Sequence, residues 1–216
     1  MSSAQERRIL DAALRLFAEK GTSAITVSEL AEAAGIARGT IYNNVEAPDD
    51  LFETVAAELA TEMYQRISAS FAGVDDPAQR LANGIRFFIR RAHEEPHWGR
   101  FLVRFSFNSR SLQGMWNGPP MEDLLLGLSQ RRYDFRPGQL PSVVGMIAGS
   151  SIAAIGLVLN GLKTWQDAGS ETAALVLRSL GIAAAEANQI ATEKLPPLPG
   201  GAEPAAPRRR RRGAST

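Results

Sequence analysis

Side chains suited to contact with a DNA duplex are concentrated in the stretch IARGTIYNN, residues 36–44. Arg38 can form a pair of hydrogen bonds with the edge of a guanine, and Thr40 can reach a base or the methyl group of a thymine. Gly39 has no side chain and permits close approach of the backbone. Three uncharged donors that can reach phosphate oxygens follow, namely Tyr42, Asn43 and Asn44. These residue types predict a surface that meets a major groove.

A second pattern, HEEPH at residues 93–97, has the H-E-x-x-H spacing of zinc proteases. That chemistry needs both imidazoles on one face of an unbroken helix. Pro96 lacks a backbone N–H and disfavours helical geometry at Glu95, so we expect the helix to end there and the two rings to diverge. We therefore predict no catalytic residues, no metal site and no cofactor, and we expect the chain not to be an enzyme. A zinc hydrolase is the alternative class, and metal analysis of the purified protein would test it.

Two short helices joined by a tight turn are predicted to present residues 36–44. Thr26 and Glu29 have the spacing of a capping box, in which each side chain satisfies a free backbone N–H near the other. The helix VSELAEAA then stops at Gly35, where a residue with positive φ is needed. A new helix begins within about three residues, so the pattern predicts a helix-turn-helix. At the start of the first helix, Thr26 and Ser28 complete the set of expected DNA contacts.

The stretch ILDAALRLFAEKGTSAITVSELAEAAGIARGTIYNNVEAPDDLF closely resembles the N-terminal domain of TetR-family transcriptional regulators. The resemblance spans about residues 5–60. It is carried by Ala12, Ala13, Phe17, Gly21, Thr26, Leu30, Ala31, Ala34, Gly35, Thr40, Ile41 and Tyr42. It implies a homodimeric regulator, more commonly a repressor, that a small effector releases from a palindromic operator.

The residues after Tyr42 depart from the family pattern. Where the family usually has His or Tyr, then Phe and soon Lys, this chain has Asn44, Val45 and Pro48. The lysine charge is absent and Asp49 follows, so we expect fewer phosphate contacts than in a typical relative. The alternative function is a TetR-like ligand-binding or interaction protein with weakened DNA binding.

The composition is that of a globular protein, since 44% of the 216 residues are apolar and 22% are charged. The chain has no cysteine, which excludes disulfides and thiolate metal ligands. Its net charge of +1 includes five consecutive arginines at 208–212, so the rest of the chain is net negative and bulk charge does not predict a nucleic-acid binder. The start, MSSAQERRIL, has no continuous apolar run, so we expect no secretory signal and a cytoplasmic location.

Helical periodicity dominates, and we predict an all-α fold with two domains. Residues 1–47 form the helix-turn-helix domain, a helix at 48–72 connects the domains, and residues 48–193 form a ligand-binding and dimerisation domain. Within it we expect a loop at 106–120, a short helix at 121–131 and two apolar helices at 141–166 and 170–193. The Pro-rich and Arg-rich residues 194–216 are expected to be disordered. The arginines there either neutralise DNA phosphates or remain solvated, and the sequence favours neither.

Residues 137–162 carry no charge, which raises the question of a membrane span. Gly145 and Gly149 line one face with small residues and permit close approach of another helix. Ser150, Ser151 and Asn160 interrupt the apolar run. We therefore predict that the last two helices pair across a homodimer and that the chain does not enter a membrane.

An effector pocket is expected among the middle helices of the second domain. Aromatic residues beside a loop can form the wall of an apolar cavity. The candidates are Phe88, Trp98, Phe101, Phe105, Trp116 and Met146. A pocket of this lining predicts a largely apolar or aromatic effector.

Overall fold

The computed structural model describes residues 4–44, 50–71 and 73–196. In these ranges the chain forms α-helices and short 3₁₀ turns without any strand, so the predicted all-α fold is confirmed. The helices are α1 (Ala4–Lys20), α2 (Val27–Ala34), α3 (Arg38–Asn44), α4 (Leu51–Ala69), α5 (Pro77–Glu94), α6 (Pro96–Phe105), α7 (Arg110–Gly114), α8 (Pro119–Ser129), α9 (Leu140–Leu159), α10 (Trp165–Ser179) and α11 (Ala184–Thr192). The proposed domain boundary at 47 and most of the predicted disordered segment 194–216 concern residues outside these ranges. At the start of that segment, Leu195 is partly buried against the core.

Helices α1 to α3 form the N-terminal unit. The apolar stripe of α1 buries Ile9, Ala13 and Phe17 completely, and the helix is followed by Gly21 with a φ of 69°. Helix α1 packs against α2 on one side and against α6 of the second domain on the other. This small unit is therefore held directly against the larger domain.

Helix α5 is the centre of the second domain and contacts α6, α8, α9, α10 and α11. It begins at Pro77, whose missing N–H costs nothing in the first turn, and the Asp76 carboxylate accepts a hydrogen bond from Ala78 N at 3.0 Å. Its buried side includes Phe87 and Ile89, both fully shielded from solvent. An amphipathic helix that is apolar over so much of its surface belongs at the middle of a bundle.

The predicted break at Pro96 is confirmed. Helix α5 ends at Glu94 and α6 begins at Pro96, with Glu95 at φ −124° and ψ 78° between them. His93 is exposed, whereas His97 turns toward α1, with its Nδ1 3.9 Å from Glu19 Oε1. Within the described ranges, no three His, Asp or Glu side chains group as metal ligands would.

Three predicted segments have different boundaries in the structure. The 106–120 segment is not a loop, because Ser109 accepts a hydrogen bond from Leu112 N and starts α7, which a 3₁₀ turn continues. The helix predicted at 141–166 ends at Leu159, and Gly161 follows with a φ of 68°. The helix predicted at 170–193 is divided into α10 and α11 by Gly181, whose φ is 95°. Left-handed backbone of this kind cannot be part of an α-helix.

Candidate nucleic-acid interface and effector cavity

The turn between α2 and α3 is fixed by local hydrogen bonds. Thr26 N donates to Glu29 Oε2 at 2.8 Å, and Glu29 N donates to Thr26 Oγ1 at 3.2 Å, which confirms the predicted capping box. Gly35 has the predicted positive φ, 63°, and Ile36 N donates to Ala31 O at 3.0 Å. The end of α2 is thereby closed and the chain is redirected into α3.

Glu29 also connects α2 to α1 through an ion pair with Lys20. The hydrogen bond from Lys20 and those from Thr26 lower the pKa of Glu29 to about 2. The carboxylate is therefore ionised throughout the physiological range, and its negative charge lies at the positive end of the α2 dipole.

Helix α3 presents one exposed face and buries the other. Ile41 is fully buried, and α3 contacts both α1 and α2. Arg38, Gly39 and Asn43 are exposed, and the Tyr42 side chain is 62% accessible. Arg38 and Tyr42 are four residues apart and so lie on the same face of the helix. A rigid short helix thus offers a guanidinium and a phenol side by side to solvent.

The other expected contact residues lie near this face. Thr40 is half-buried, Thr26 is exposed at the N-cap of α2, and Ser28 is half-buried in the first turn of that helix. The side chain of Asn44 and the departures at Val45 and Pro48 lie outside the described residues.

A cavity lies between α4, α5, α8 and α9 in the second domain. The empty space between its lining atoms is about 510 Å³ including its mouth, and the room left for the centres of water molecules is about 40 Å³. Apolar side chains form most of the wall, among them Met63, Ile67, Leu81, Ile85, Phe88 and Ile147. A narrow apolar cavity with few polar groups is typical of a small-molecule site.

Two of the six candidate pocket residues line this cavity. They are Phe88 and Trp116, whose ring centroids are 5.0 Å apart. Trp98 packs on Phe88 at 5.0 Å but is fully buried and does not reach the cavity. Met146 lies on α9, with its sulfur 3.4 Å from Ser179 Oγ on α10, and is likewise absent from the cavity wall.

Phe101 and Phe105 belong to a different cluster at the junction of the two domains. Their rings lie 5.4 Å and 4.9 Å from Phe52 of α4, and Phe52 lies 5.2 Å from Phe17 of α1. Aromatic pairs at these separations stabilise beyond their buried area by about 0.5–1.5 kcal/mol each. This junction cluster therefore ties the N-terminal unit to α4 and α6.

Polar residues on the cavity wall were not anticipated from the sequence. Arg80 Nε donates to Asp123 Oδ1 at 2.6 Å, and Asp123 is only 2% exposed. Burial raises the pKa of Asp123 to about 6, although Arg80 acts in the opposite direction. Ser151 of α9 also lines the cavity. A charged residue on an otherwise apolar helix face is the sequence signal that could have predicted the Arg80–Asp123 ion pair. Nothing in the sequence distinguishes Ser151 from other helical serines.

A link runs from the cavity wall to the first turn of α4. Glu53 Oε2 of α4 accepts hydrogen bonds from Ser109 Oγ at 3.1 Å and from Ser111 N at 3.2 Å. These hydrogen bonds lower the pKa of Glu53 and outweigh the opposing effect of burial. Helix α7, which they anchor, leads directly into Met115 and Trp116 of the cavity wall.

Two protein-family models match the chain, one in its N-terminal part and one in its C-terminal part. Residues 9–53 match the family model described as "Bacterial regulatory proteins, tetR family", and residues 76–193 match "Tetracyclin repressor-like, C-terminal domain". The chain belongs to the TetR family, as the resemblance predicted. Members of this family are transcriptional regulators rather than enzymes; they bind DNA and small molecules and are typically dimers.

Among curated proteins, the chain is 33% identical over 89 residues to an uncharacterized HTH-type transcriptional regulator of Mycobacterium tuberculosis, covering 41% of this chain and 44% of that one. It is 48% identical over 54 residues to AcrR of Shigella flexneri, covering 24% of this chain and 25% of that one. The matched stretches thus span less than half of the length of these relatives.

Among solved structures, RolR in complex with resorcinol superposes with a TM-score of 0.69 at 29% identity, covering 90% of this chain and 96% of that one. FadR of Bacillus subtilis in complex with stearoyl-CoA has a TM-score of 0.65 at 20% identity, covering 82% and 99% of the two chains. The second likeness shows the fold alone.

Proposed function

We propose that this protein is a homodimeric DNA-binding transcriptional regulator, a repressor that a small and largely apolar effector releases from a palindromic operator. The observation that carries the proposal is the α2–α3 unit, in which a closed capping box and Gly35 hold an exposed Arg38 and Tyr42 on one face of a short helix. The family membership supports the same function.

In this proposal α3 lies in a major groove. Arg38 pairs with a base edge, Thr40 reaches a base, and the backbone at Gly39 approaches closely because a side chain is absent there. Tyr42, Asn43 and Asn44 contact phosphates, together with Thr26 and Ser28 at the N-terminus of α2, where free N–H groups attract anions.

The dimer forms through α9 and α10. A Cβ added at Gly145, Gly149 or Gly156 of α9 would meet no atom within 4 Å, so this stripe of small residues faces open space in the single chain. Leu157 on α9 is 37% exposed, and Leu175 on α10, which packs against α9, is 61% exposed. Two copies related by a twofold axis would bury this surface and hold two recognition helices about 34–36 Å apart, or a multiple of that distance.

The same helix has an alternative interpretation as a membrane span. In the described ranges, Pro137–Leu159 is long and apolar enough to cross a bilayer by length and composition, with a mean hydropathy of 2.1. It contacts α5, α6 and α10, however, and Ser151 and Ile155 on it are fully buried. We therefore favour a cytoplasmic protein in which a partner subunit covers the exposed side of α9, and recovery of the native protein with membranes would contradict this.

The effector binds in the cavity between α4, α5, α8 and α9. RolR, which superposes over nearly the whole chain, was crystallised with the single-ring compound resorcinol, and this supports a ring-sized effector here. The room for the centres of water molecules is only about 40 Å³, and the flexible thioether side chains of Met63 and Met115 on the wall can shift to admit a ring. Binding would then favour the dimer state with misplaced recognition helices.

Selection of bound duplexes from random DNA, followed by affinity measurements on the selected sequence, tests the proposal. Arg38→Ala is expected to weaken binding to the selected duplex by about 1–3 kcal/mol and to relax the base preference at one position of the site. Arg136→Ala is the matched control, because it removes the same charge from an exposed turn before α9. Repeating the selection with cell extract as the source of effector tests release.

The alternative function, a TetR-like binding protein with weakened DNA contacts, has its own signature. It predicts that no duplex is enriched at low salt although the protein is folded and dimeric. That outcome would overturn the proposed repressor.

A further inference from the structure

We infer that the effector is a neutral, ring-sized molecule carrying a hydroxyl or carbonyl oxygen, which hydrogen-bonds to the Trp116 indole N–H and the Ser151 hydroxyl on the cavity wall. The inference rests on the proposed function of this cavity as the effector site. It specifies which chemical groups that effector must have.

The first observation is that two polar atoms on the wall lack partners. Trp116 Nε1 and Ser151 Oγ are both shielded from solvent and make no hydrogen bond within the described part of the chain. Trp116 is 8% exposed and Ser151 is fully buried, and both line the cavity. A buried polar group without a partner is unfavourable, and because these two residues also line a cavity, a molecule bound there can supply the partner.

Ser151 stands out against the other buried serines on or beside helices. Ser70 Oγ donates to Ile67 O at 2.6 Å, and Ser106 Oγ donates to Leu102 O at 2.6 Å. A helical serine is usually satisfied by such a bond to the preceding turn. No bond of this kind is made by Ser151, which lines the cavity, so its hydroxyl has no partner within the described part of the chain.

The second observation concerns charge. Arg80 and Asp123 are the two charged residues of the cavity wall, and they neutralise each other through the hydrogen bond of 2.6 Å. An anion would have to compete with Asp123 for Arg80, and a cation would have to compete with Arg80 for Asp123. Either would leave a buried charge uncompensated, which is strongly unfavourable. The wall therefore selects a neutral molecule.

The third observation is the shape of the apolar wall. The rings of Phe88 and Trp116 lie 5.0 Å apart with an interplanar angle of 58°, and methionine and isoleucine side chains complete the surface. Aromatic faces and edges favour a flat ring as a neighbour. An oxygen on that ring then meets the two unpartnered groups, so the ligand class is a neutral phenol-like or aryl-carbonyl compound.

Phenol and toluene are suitable probes, because they have nearly the same shape and differ in a hydroxyl against a methyl group. Binding of each is measured by NMR titration of the full-length protein. The chain has three tryptophans, so the Trp116 indole signal is identified by its loss in Trp116→Phe. Phenol is expected to shift this signal and toluene to leave it nearly unmoved.

Ser151→Ala and Trp116→Phe should each lower the preference for phenol over toluene by roughly two- to tenfold, the value of one hydrogen bond. Trp98→Phe is the matched control, because Trp98 Nε1 is also buried without a partner in the described ranges but Trp98 does not line the cavity. Its phenol preference should equal that of the wild type. Benzoate should bind at least tenfold more weakly than phenol.

The inference is overturned if neither probe binds, if the preference for phenol survives both cavity variants, or if benzoate binds as tightly as phenol. These outcomes are separable from failure of the proposed function. A protein that selects a duplex but fails the probe tests is a regulator with a different effector class. A protein that passes the probe tests but selects no duplex has the inferred cavity chemistry without the proposed DNA function.

Discussion

A methyl group added at Gly149 should change the stability of the single chain and the stability of the dimer in opposite directions. In the isolated chain a Cβ at this position has no atom within 4 Å, so Gly149→Ala creates no clash. Alanine is favoured over glycine in a helix interior by about 1 kcal/mol, so the fold itself should become more stable. The same methyl group should oppose association, if two α9 helices meet along this stripe.

The size of the opposing effect follows from symmetry. A twofold interface contains the substitution twice, and each methyl group forced into a close helix contact costs about 1–3 kcal/mol. The dimer is then weakened by about 2–6 kcal/mol, which is a rise in the dissociation constant from about 30-fold to more than 10⁴-fold. Fold stability and dimer stability should thus change in opposite directions.

Sedimentation velocity over a range of protein concentrations measures the dimer, and urea unfolding at a low, fixed concentration measures the fold. Gly84→Ala is the matched control, because Gly84 lies inside α5 and an added Cβ would be 3.9 Å from its nearest neighbour, Ile67. It should stabilise the fold without weakening the dimer. If Gly149→Ala behaves like Gly84→Ala and dimerises as the wild type does, the small-residue stripe is not the dimer contact.

Three further predictions follow from single contacts. Because the pKa of Glu29 is lowered from 4.5 to about 2, folding favours its ionised form; this stabilisation is complete above pH 4.5 and is lost as the pH falls through 2. Glu29→Gln should flatten acid unfolding in that range, and an unchanged profile would contradict the assignment. Gly127→Ala drives a methyl group into the buried Tyr133 ring and should lower the free energy of unfolding in urea by about 1–3 kcal/mol, whereas unchanged stability would mean that the ring moves freely. Glu53→Ala removes both acceptor contacts to α7 and should speed amide hydrogen exchange at Ser111 and Leu112; protection equal to the wild type would show that α7 does not depend on α4.

The Glu53 contacts connect the cavity wall to the helix that packs against the helix-turn-helix unit. Trp116 lies on the cavity wall, α7 precedes it, and Glu53 fastens α7 to the first turn of α4. Gly114, the last residue of α7, lies two residues before Trp116. The first turn of α4 also carries Phe52 of the junction cluster. A displacement of the cavity wall therefore has a short, hydrogen-bonded path to the helix that supports α1.

The helix-turn-helix could be read from the sequence because its geometry is set by neighbours along the chain. The capping box joins residues three apart, and Gly35 supplies the positive φ that ends α2. The break at Pro96 is equally local, since proline has no backbone N–H to donate to the helix and restricts the conformation of the preceding residue. Features of this kind need no knowledge of the rest of the fold.

The cavity was decided by the tertiary structure. Phe88 and Trp116 reach it, whereas Phe101 and Phe105, which are similar in type and lie between them in sequence, pack at the domain junction instead. Burial of an aromatic ring is favourable against any apolar neighbour, so residue type alone does not choose the neighbour. The Arg80–Asp123 pair joins residues 43 positions apart. Ser151 is notable only because the packing of α9 places it on the cavity wall and leaves its buried hydroxyl without a partner in the described ranges. Local hydrogen bonds fixed the helix-turn-helix unit, and long-range packing alone created the candidate effector cavity.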